Sequence, residues 1–325
     1  MRILSGIQPT GSIHIGAYLG AISQWKELQT MGECIFFIAD LHALTVPRDP
    51  KTFAQKTLET AAELLASGID PEKCVIFAQS QVKEHTELAW ILNTITPVGE
   101  LERMTQYKDK SKQFKANINA GLLSYPVLQA ADILLYQADS VPVGKDQTQH
   151  LELTKTIARK FNQKYGDTFK VPEAITLDIG AKIMSLNDPK KKMSKSMPET
   201  CLFLFDEPEV IKKKIMTAVT DTAKTIKYDP IKKPGISNLL TIYSLFSGET
   251  LKELEKKFKG EGYSEFKKQL AELLIEKLEP FSRKKKELVQ REVYVKEILE
   301  RGRKRAQTLA ESTMQTVRQK IGLLV

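Results

Sequence analysis

Three short, predominantly apolar runs near the start of this 325-residue chain, separated by longer segments of helical periodicity, restrict what it can fold into. Arg2–Ile7, Cys34–Ala39 and Cys74–Ala78 have strand length and are apolar nearly throughout rather than alternating, as strands covered on both faces are. Between the first two, Ile15, Leu19, Ile22, Trp25 and Leu28 recur at helical spacing, with Gly32 past the end. A second helix is predicted over 51–67, closed by Gly68. This rhythm predicts an α/β fold, a doubly wound parallel sheet with helices on both faces. Val141–Gly144 reads as a further strand entering a turn, and 147–165 as a helix with Leu151, Ile157, Ala158 and Phe161 on one face. Residues 84–137 read as mostly helical, with a lysine-rich polar loop at 108–119. From Pro208 onward strand signals vanish. Phe266, Leu270, Leu273, Leu274 and Leu278 mark one amphipathic helix, and Val289, Val293, Ile298 and Leu299 suggest another.

The length allows two domains. With 42% hydrophobic and 27% charged residues and no apolar run long enough to span a bilayer, the chain reads as soluble, with no membrane partner. The N-terminus lacks the apolar core and cleavage site of a signal peptide. Cys34, Cys74 and Cys201 are too few and too widely spaced for a disulfide framework or a four-ligand zinc site, so a cytoplasmic location is expected. The net charge of +9 is uneven: from Leu251 onward 19 Lys and Arg face 12 Asp and Glu, a surplus of +7 that leaves only +2 for the first 250 residues. Such a basic quarter fits either a polyanionic partner or a set of helices with solvated lysines.

Two segments carry phosphate chemistry. Gly6-Ile7-Gln8-Pro9-Thr10-Gly11-Ser12-Ile13-His14-Ile15-Gly16-Ala17 is a glycine-rich turn between the first strand and the first helix, where doubly wound folds bind nucleotides. Its spacing matches neither the dinucleotide-binding fingerprint nor the P-loop. Lys191-Lys192-Met193-Ser194-Lys195-Ser196 places three cations and two hydroxyls in six residues, the composition of a loop that closes on a polyphosphate. Taken alone, that run also describes a solvated face.

The two segments together, in this order, resemble the nucleotide-binding signatures of class I aminoacyl-tRNA synthetases. Further blocks extend the resemblance over essentially the whole chain, and they are similar to those of the bacterial tryptophanyl-tRNA synthetases. They are Gly99-Glu100-Leu101-Glu102-Arg103-Met104-Thr105-Gln106, Gly121-Leu122-Leu123-Ser124-Tyr125-Pro126, Ala130-Ala131-Asp132-Ile133-Leu134-Leu135-Tyr136, Val141-Pro142-Val143-Gly144 with Asp146-Gln147, Met184-Ser185-Leu186, and Lys233-Pro234-Gly235-Ile236-Ser237-Asn238. The resemblance implies a Rossmann-type catalytic domain over 1–185, the lysine–serine loop at 186–199, a helical anticodon-binding domain over 200–290, a C-terminal helical segment over 291–325, and a homodimer. It also implies the reaction: tryptophan and Mg·ATP give tryptophanyl-adenylate and pyrophosphate, and tryptophan then passes to its tRNA.

Carried over residue by residue, the resemblance assigns His14 and its turn to the α-phosphate side of ATP, and Lys192 and Lys195 to the departing pyrophosphate, with Lys110 as a third lysine. The ATP contacts it implies are Gln8, Pro9, Thr10, Gly11, His14, Gly16, Gly144, Asp146, Gln147, Met193, Ser194, Lys195 and Ser196. The implied tryptophan contacts are Leu4, Gly6, Gln8, His42, Tyr125, Gln129, Asp132, Val141, Val143 and Gln147. Among these, Asp132 accepts the indole N–H, Tyr125 and Gln147 hold the α-amino group, and Gln8 lies near the carboxylate. The protein supplies no metal ligand, since Mg²⁺ travels with ATP. Asp132 sits in an otherwise apolar segment, where a substrate N–H or a nearby base must pair it. Leu4, Val141 and Val143 read equally as core residues of their strands.

Three positions depart from the pattern. Ala17 replaces a polar residue, Lys145 an acid and Gln129 a methionine. Tyr125, Gln129 and Asp132 in a Tyr-x-x-x-Gln-x-x-Asp pattern also resemble tyrosyl-tRNA synthetases, which stand as the alternative. A catalytically inactive RNA-binding relative is the more distant one. A tRNA footprint on the basic quarter, densest at Arg301, Arg303, Lys304 and Arg305 and again at Lys284–Lys286, predicts binding that weakens steeply with salt.

Overall fold

The computed structural model describes residues 1–113, 118–144, 147–176, 183–195, 197–223 and 225–324. The chain divides into two units, one built from Met1–Thr10, Trp25–Leu177 and Arg291–Val325, the other from Gly11–Gln24 and Asp178–Gln290.

In the first unit, five strands form one parallel sheet: β1 (Arg2–Ile7), β2 (Glu33–Ile38), β3 (Cys74–Ala78), β4 (Ser140–Val143) and β5 (Glu173–Thr176), in the order β3-β2-β1-β4-β5. The order reverses between β1 and β4, where Ile3 pairs with Ser140. Open α/β sheets bind ligands beyond the carboxyl ends of the strands at such a switch point. The apolar runs explain the centre of the sheet: Cys34–Ile38 and Cys74–Ala78 are buried at every position, and Cys34 and Cys74 are register partners with free thiols. Strand β5 has no such run. It lies at the sheet edge, and Glu-Ala-Ile-Thr contains one large apolar residue, so periodicity does not reveal it.

The helical stretch after β1 is not uniform. It comprises α1 (Ile15–Ala17), a π-helical turn at Tyr18–Ile22 and α2 (Ser23–Leu28). The Trp25 ring stacks on Phe36 at 4.7 Å. Next come α3 (Asp40–Ala43), α4 (Pro50–Ala66, capped by the Asp49 carboxylate), α5 (Glu84–Asn93), α6 (Val98–Glu102), α7 (Thr105–Gln113), α8 (Ala120–Leu135, capped by Asn119) and α9 (Thr148–Tyr165). The expected loop at 108–119 is thus helical through Gln113. Its lysines and glutamine are good helix formers with no glycine or proline among them, so polarity alone did not mark a loop.

The last helix, α14 (Glu292–Ile321), belongs to the sheet unit. Its Ala306, Ala310, Met314 and Val317 join the core that contains Val75, Phe77 and Tyr136. Gly302 makes the approach possible, since a Cβ there would lie 1.8 Å from the Ile76 carbonyl oxygen. Arg318 locks the far end by pairing with Glu87 at 2.7 Å and Glu311 at 2.8 Å. Val289 and Val293 do not share the buried face of Ile298 and Leu299, as expected from spacing; they are 43% and 71% exposed. The helix breaks at Arg291, so Val289 ends α13, while Val293 lies on α14 itself, five and six residues before the buried pair and off their face.

The second unit contains α10 (Pro208–Thr217), α11 (Pro234–Ser247), α12 (Leu251–Lys257, opened by a Thr250–Glu253 capping box) and α13 (Tyr263–Gln290). Its aromatic centre is Tyr243, Phe258 and Phe266, with Phe258 and Phe266 edge-to-face at 4.9 Å. The Lys267 ammonium, buried, caps the carboxyl end of α10 by donating to the carbonyls of Ala218 at 2.6 Å and Met216 at 3.2 Å. No helix among the described residues is long and apolar enough to cross a membrane.

Candidate active site

The two phosphate signatures meet within the second unit. Ile13–Ile15 runs antiparallel to Leu202–Leu204: the Leu204 N–H donates to Ile13 at 2.7 Å, the Ile15 N–H to Leu202 at 2.9 Å, and His14 and Phe203 form the bridge pair. The Lys195 ammonium donates to the carbonyl of Gly11 at 2.9 Å. Gly11 sits at φ +102°, a region that favours glycine, and this bends the turn toward that lysine. Gly16 abuts the His14 ring.

His14 caps α1 with its own ring: Nδ1 accepts the Ala17 N–H at 3.1 Å. Burial, then the charges of Lys195 and Lys192, push its pKa down to about 4. The imidazole is therefore neutral at pH 7, with its proton on Nε2 as the donor. Ala17, expected above to depart from the family pattern, contributes to this cap through its backbone N–H alone.

The lysine–serine segment is the return strand of a small hairpin. Met184 and Lys192 form an antiparallel bridge, the Ser185 N–H donates to Lys191 at 2.8 Å and the Met193 N–H to Ile183 at 3.0 Å. Met193 is buried under the hairpin, Lys192 and Ser194 are exposed, and Lys191 pairs with Asp188 at 3.1 Å. Ser196, Lys145 and Asp146 and the side chain of Lys110 lie outside the described residues.

The first unit carries most of the residues expected to bind the amino acid, on α8, on strands β1 and β4 and in the segment after β2. On α8, Tyr125, Gln129 and Asp132 follow at i, i+4 and i+7 and so share a face. Asp132 is buried, and its two oxygens are held apart by different partners. Oδ2 accepts from His42 Nε2 at 2.7 Å; Oδ1 accepts from Gln79 at 2.7 Å and from His85 Nδ1 at 2.6 Å. The Tyr136 hydroxyl closes the chain on His85 Nε2 at 2.8 Å. Burial alone would raise the Asp132 carboxyl, but His42 and His85 outweigh it and hold the pKa at about 2, so the acceptor is charged. The Tyr125 hydroxyl donates to Gln106 at 2.9 Å and lies 3.0 Å from His150 Nε2, while His150 Nδ1 meets Gln147 at 3.0 Å. Burial raises the Tyr125 phenol, which keeps it protonated. Leu4, Val141 and Val143 are buried in the core around Phe37, Gly6 abuts the Phe37 ring, and Gln129 is half-buried. Gln8 and Pro9 form the turn closed by the Thr10 N–H on the Gln8 carbonyl at 2.8 Å, and Gly144 follows β4 directly.

Local reading of the sequence missed Gln79, His85, Tyr136, Gln106 and His150. Gln79 and His85 follow β3 as His42 follows β2, and position at a strand's carboxyl end is the signal that could have found them.

Residues 1–279 match the family model described as tRNA synthetases class I (W and Y). The tryptophan–tRNA ligase of Caldanaerobacter subterraneus subsp. tengcongensis is 51% identical over 326 residues, covering 100% of this chain and 99% of its own. That of Clostridium acetobutylicum is 49% identical, covering 99% and 97%. Among solved structures, tryptophanyl-tRNA synthetase from Campylobacter jejuni complexed with ADP and tryptophan superimposes with a TM-score of 0.88 at 41% identity over 99% of this chain and 100% of that one. Tyrosyl-tRNA synthetase from Aeropyrum pernix, at 23% identity and a TM-score of 0.68, shares the fold. Half-identity over the full length with tryptophan enzymes, a matching family model and a sheet with its switch point at β1 and β4 lead to one conclusion: the chain belongs to the class I tRNA synthetases of the tryptophan and tyrosine family.

Proposed function

We propose that the chain is a tryptophan–tRNA ligase that activates L-tryptophan with Mg·ATP and transfers it to tRNA. One observation carries the choice of substrate: a charged, buried carboxylate, Asp132, on the same helical face as Tyr125, ready to accept an N–H. Gln79 and His85 occupy Oδ1 and His42 one site on Oδ2, so the indole N–H would take the remaining acceptor position on Oδ2, beside His42.

In the first step a tryptophan carboxylate oxygen forms a bond to the α-phosphorus, and the bond from that phosphorus to the bridging oxygen of the β-phosphate breaks. The protein need supply no nucleophile. It must align two anions and neutralise the charge building on the leaving pyrophosphate. Neutral His14 donates from Nε2 to an α-phosphate oxygen without adding a charge. Lys192 and Lys195, with the Ser194 and Ser196 hydroxyls, take the pyrophosphate; Lys110 adds a third cation. Mg²⁺ arrives on ATP. Asp132 with His42 orients the indole, Tyr125 and Gln147 the α-amino group, Gln8 the carboxylate. Gly144, Asp146 and Gln147 complete the nucleotide contacts.

The basic helices α13 and α14 supply the tRNA footprint. Some of their cations are engaged elsewhere: Lys286 pairs with Glu207 at 2.8 Å, Lys285 covers the Phe205 ring, Arg301 pairs with Glu72, and Arg303 with Glu300 at 2.7 Å. Arg305 is exposed, and Lys304 is exposed with only a long 3.8 Å contact to Glu300, so these two are better suited to phosphate contacts. A homodimer is supported by Trp90, 73% exposed on α5, and Val98 on α6. A cytoplasmic location follows from the work of translation. ATP–pyrophosphate exchange with single amino acids tests the whole reading. Exchange is expected with tryptophan alone; exchange driven by tyrosine would replace it with the tyrosine enzyme, and none with either would leave an inactive relative.

A further inference from the structure

Hydrogen bonding in the lysine–serine hairpin turns the N–H and C=O of Met184 away from the strand that carries the lysines. Met184 and Lys192 face each other, but the ladder bonds run through their neighbours, from Ser185 to Lys191 and from Met193 to Ile183. In an antiparallel pair of this type the N–H and C=O of the central residue point away from the partner strand. Met184 therefore offers one donor and one acceptor on the far edge. A two-stranded hairpin is marginal by itself, and a sheltered peptide without partners costs free energy.

Both groups are taken by one side chain. Asn238, in the first turns of α11 and only 6% exposed, accepts the Met184 N–H on Oδ1 at 2.9 Å and donates from Nδ2 to the Met184 carbonyl at 3.0 Å. Its amide thus does for the hairpin what a third strand would do. A second link runs beside it: the Val219 N–H donates to the Leu186 carbonyl at 2.9 Å. Ile183, Ser185, Leu186 and Met193 are all buried around these contacts, so the hairpin has little freedom to slide without breaking them.

We propose that Asn238 is a positioning residue for adenylate formation: by clamping the Met184 peptide it fixes the register of the hairpin strand that carries Lys192 and Lys195, and so ties the placement of those cations to helix α11. The proposal rests on the reading that these lysines stabilise the departing pyrophosphate. It goes beyond that reading by assigning the placement to a residue that touches no substrate.

Asn238→Asp is the sharper test, because it preserves size and sets an acceptor against the Met184 carbonyl; Asn238→Ala removes both bonds. Each is expected to lower kcat of tryptophan-dependent ATP–pyrophosphate exchange by about 10- to 100-fold, the scale of misplacing a catalytic group by about an ångström. The tryptophan Kd, read by calorimetry, is expected to stay within about twofold, since the clamp touches only the phosphate side. Hydrogen exchange at Met184 and its hairpin neighbours should accelerate while α8 and α9 keep their protection. Thr241→Val is the control: Thr241 is buried one turn further along α11 and donates to the Ser237 carbonyl of its own helix, so kcat should survive. In a background lacking both Lys192 and Lys195 (each →Ala) the Asn238→Asp loss should shrink to about threefold or less, because residues that act through one another are not additive. An unchanged kcat in Asn238→Asp, or a loss that persists in full when both lysines are alanine, overturns the proposal. If Lys192→Ala and Lys195→Ala themselves leave exchange unchanged, the pyrophosphate reading fails, whatever Asn238 does.

Discussion

The Nδ1 of His14 accepts the backbone N–H of Ala17 at 3.1 Å, so the neutral ring carries its proton on Nε2. The linkage sign follows from its pKa of about 4 against 6.5 in an unfolded chain. Below pH 6.5 the unfolded chain takes a proton that the folded one refuses, so stability is lost as pH falls from 6.5 toward 4. Between pH 7 and pH 5 this amounts to about 2 kcal/mol. Urea unfolding at the two pH values should show that difference shrinking in His14→Gln. The His14 ring resonances of the folded protein should stay constant between pH 8 and pH 5, and bound pyrophosphate should move their titration upward.

Asp132→Asn exchanges a charged acceptor for a neutral amide among His42, Gln79 and His85. The tryptophan Kd is expected to rise by about 10- to 150-fold, equivalent to about 1.5–3 kcal/mol for a hydrogen bond to a charged group. Exchange kcat at saturating tryptophan should change far less. The same substitution tests linkage of the opposite kind. With the folded value at about 2 and the usual one at 3.8, the charge stabilises the fold above pH 4, and that part is lost as pH falls through 2. Asp132→Asn should therefore flatten the acid end of the stability curve.

Lys195→Ala is expected to slow adenylate formation by roughly 10² to 10³, the scale for losing one preorganised charge-stabilising donor. Tryptophan affinity should hardly change. Presteady-state fluorescence separates the two; loss of tryptophan binding with an intact rate would refute the assignment.

Gly302→Ala should destabilise the sheet unit by about 1–3 kcal/mol or more, because the new methyl meets the Ile76 backbone and not a movable side chain. Denaturant unfolding followed by circular dichroism reads it. Ala306→Gly, in the same helix one turn on, should cost about 1 kcal/mol by propensity, plus the burial of one methyl.

Much of the chain was legible without coordinates because the relevant information is local. Apolar runs at Cys34 and Cys74 announce buried strands, and the spacing of Leu151, Ile157 and Phe161 announces the face of α9. The lysines and serines at 192–196 announce phosphate chemistry by composition alone, and the family blocks supply their order. What stayed hidden is nonlocal. Strand β5 is too short and too polar to carry a period. His85 and Gln79 reach Asp132 across 47 and 53 residues, and no periodicity encodes which distant donor will satisfy a buried carboxylate. The last helix looked like a continuation of the basic helical region, since charge and amphipathicity describe a surface and not the surface it meets. Gly302 against the Ile76 carbonyl is what assigns α14 to the sheet. Local composition and spacing suffice for the central strands, most of the helices and the chemistry of the phosphate loop. The tertiary structure alone decided which polar groups pair, how His14 is kept neutral, and that Asn238 closes the edge of the hairpin, because desolvation and hydrogen bonding between residues far apart in the chain exist only once it has folded.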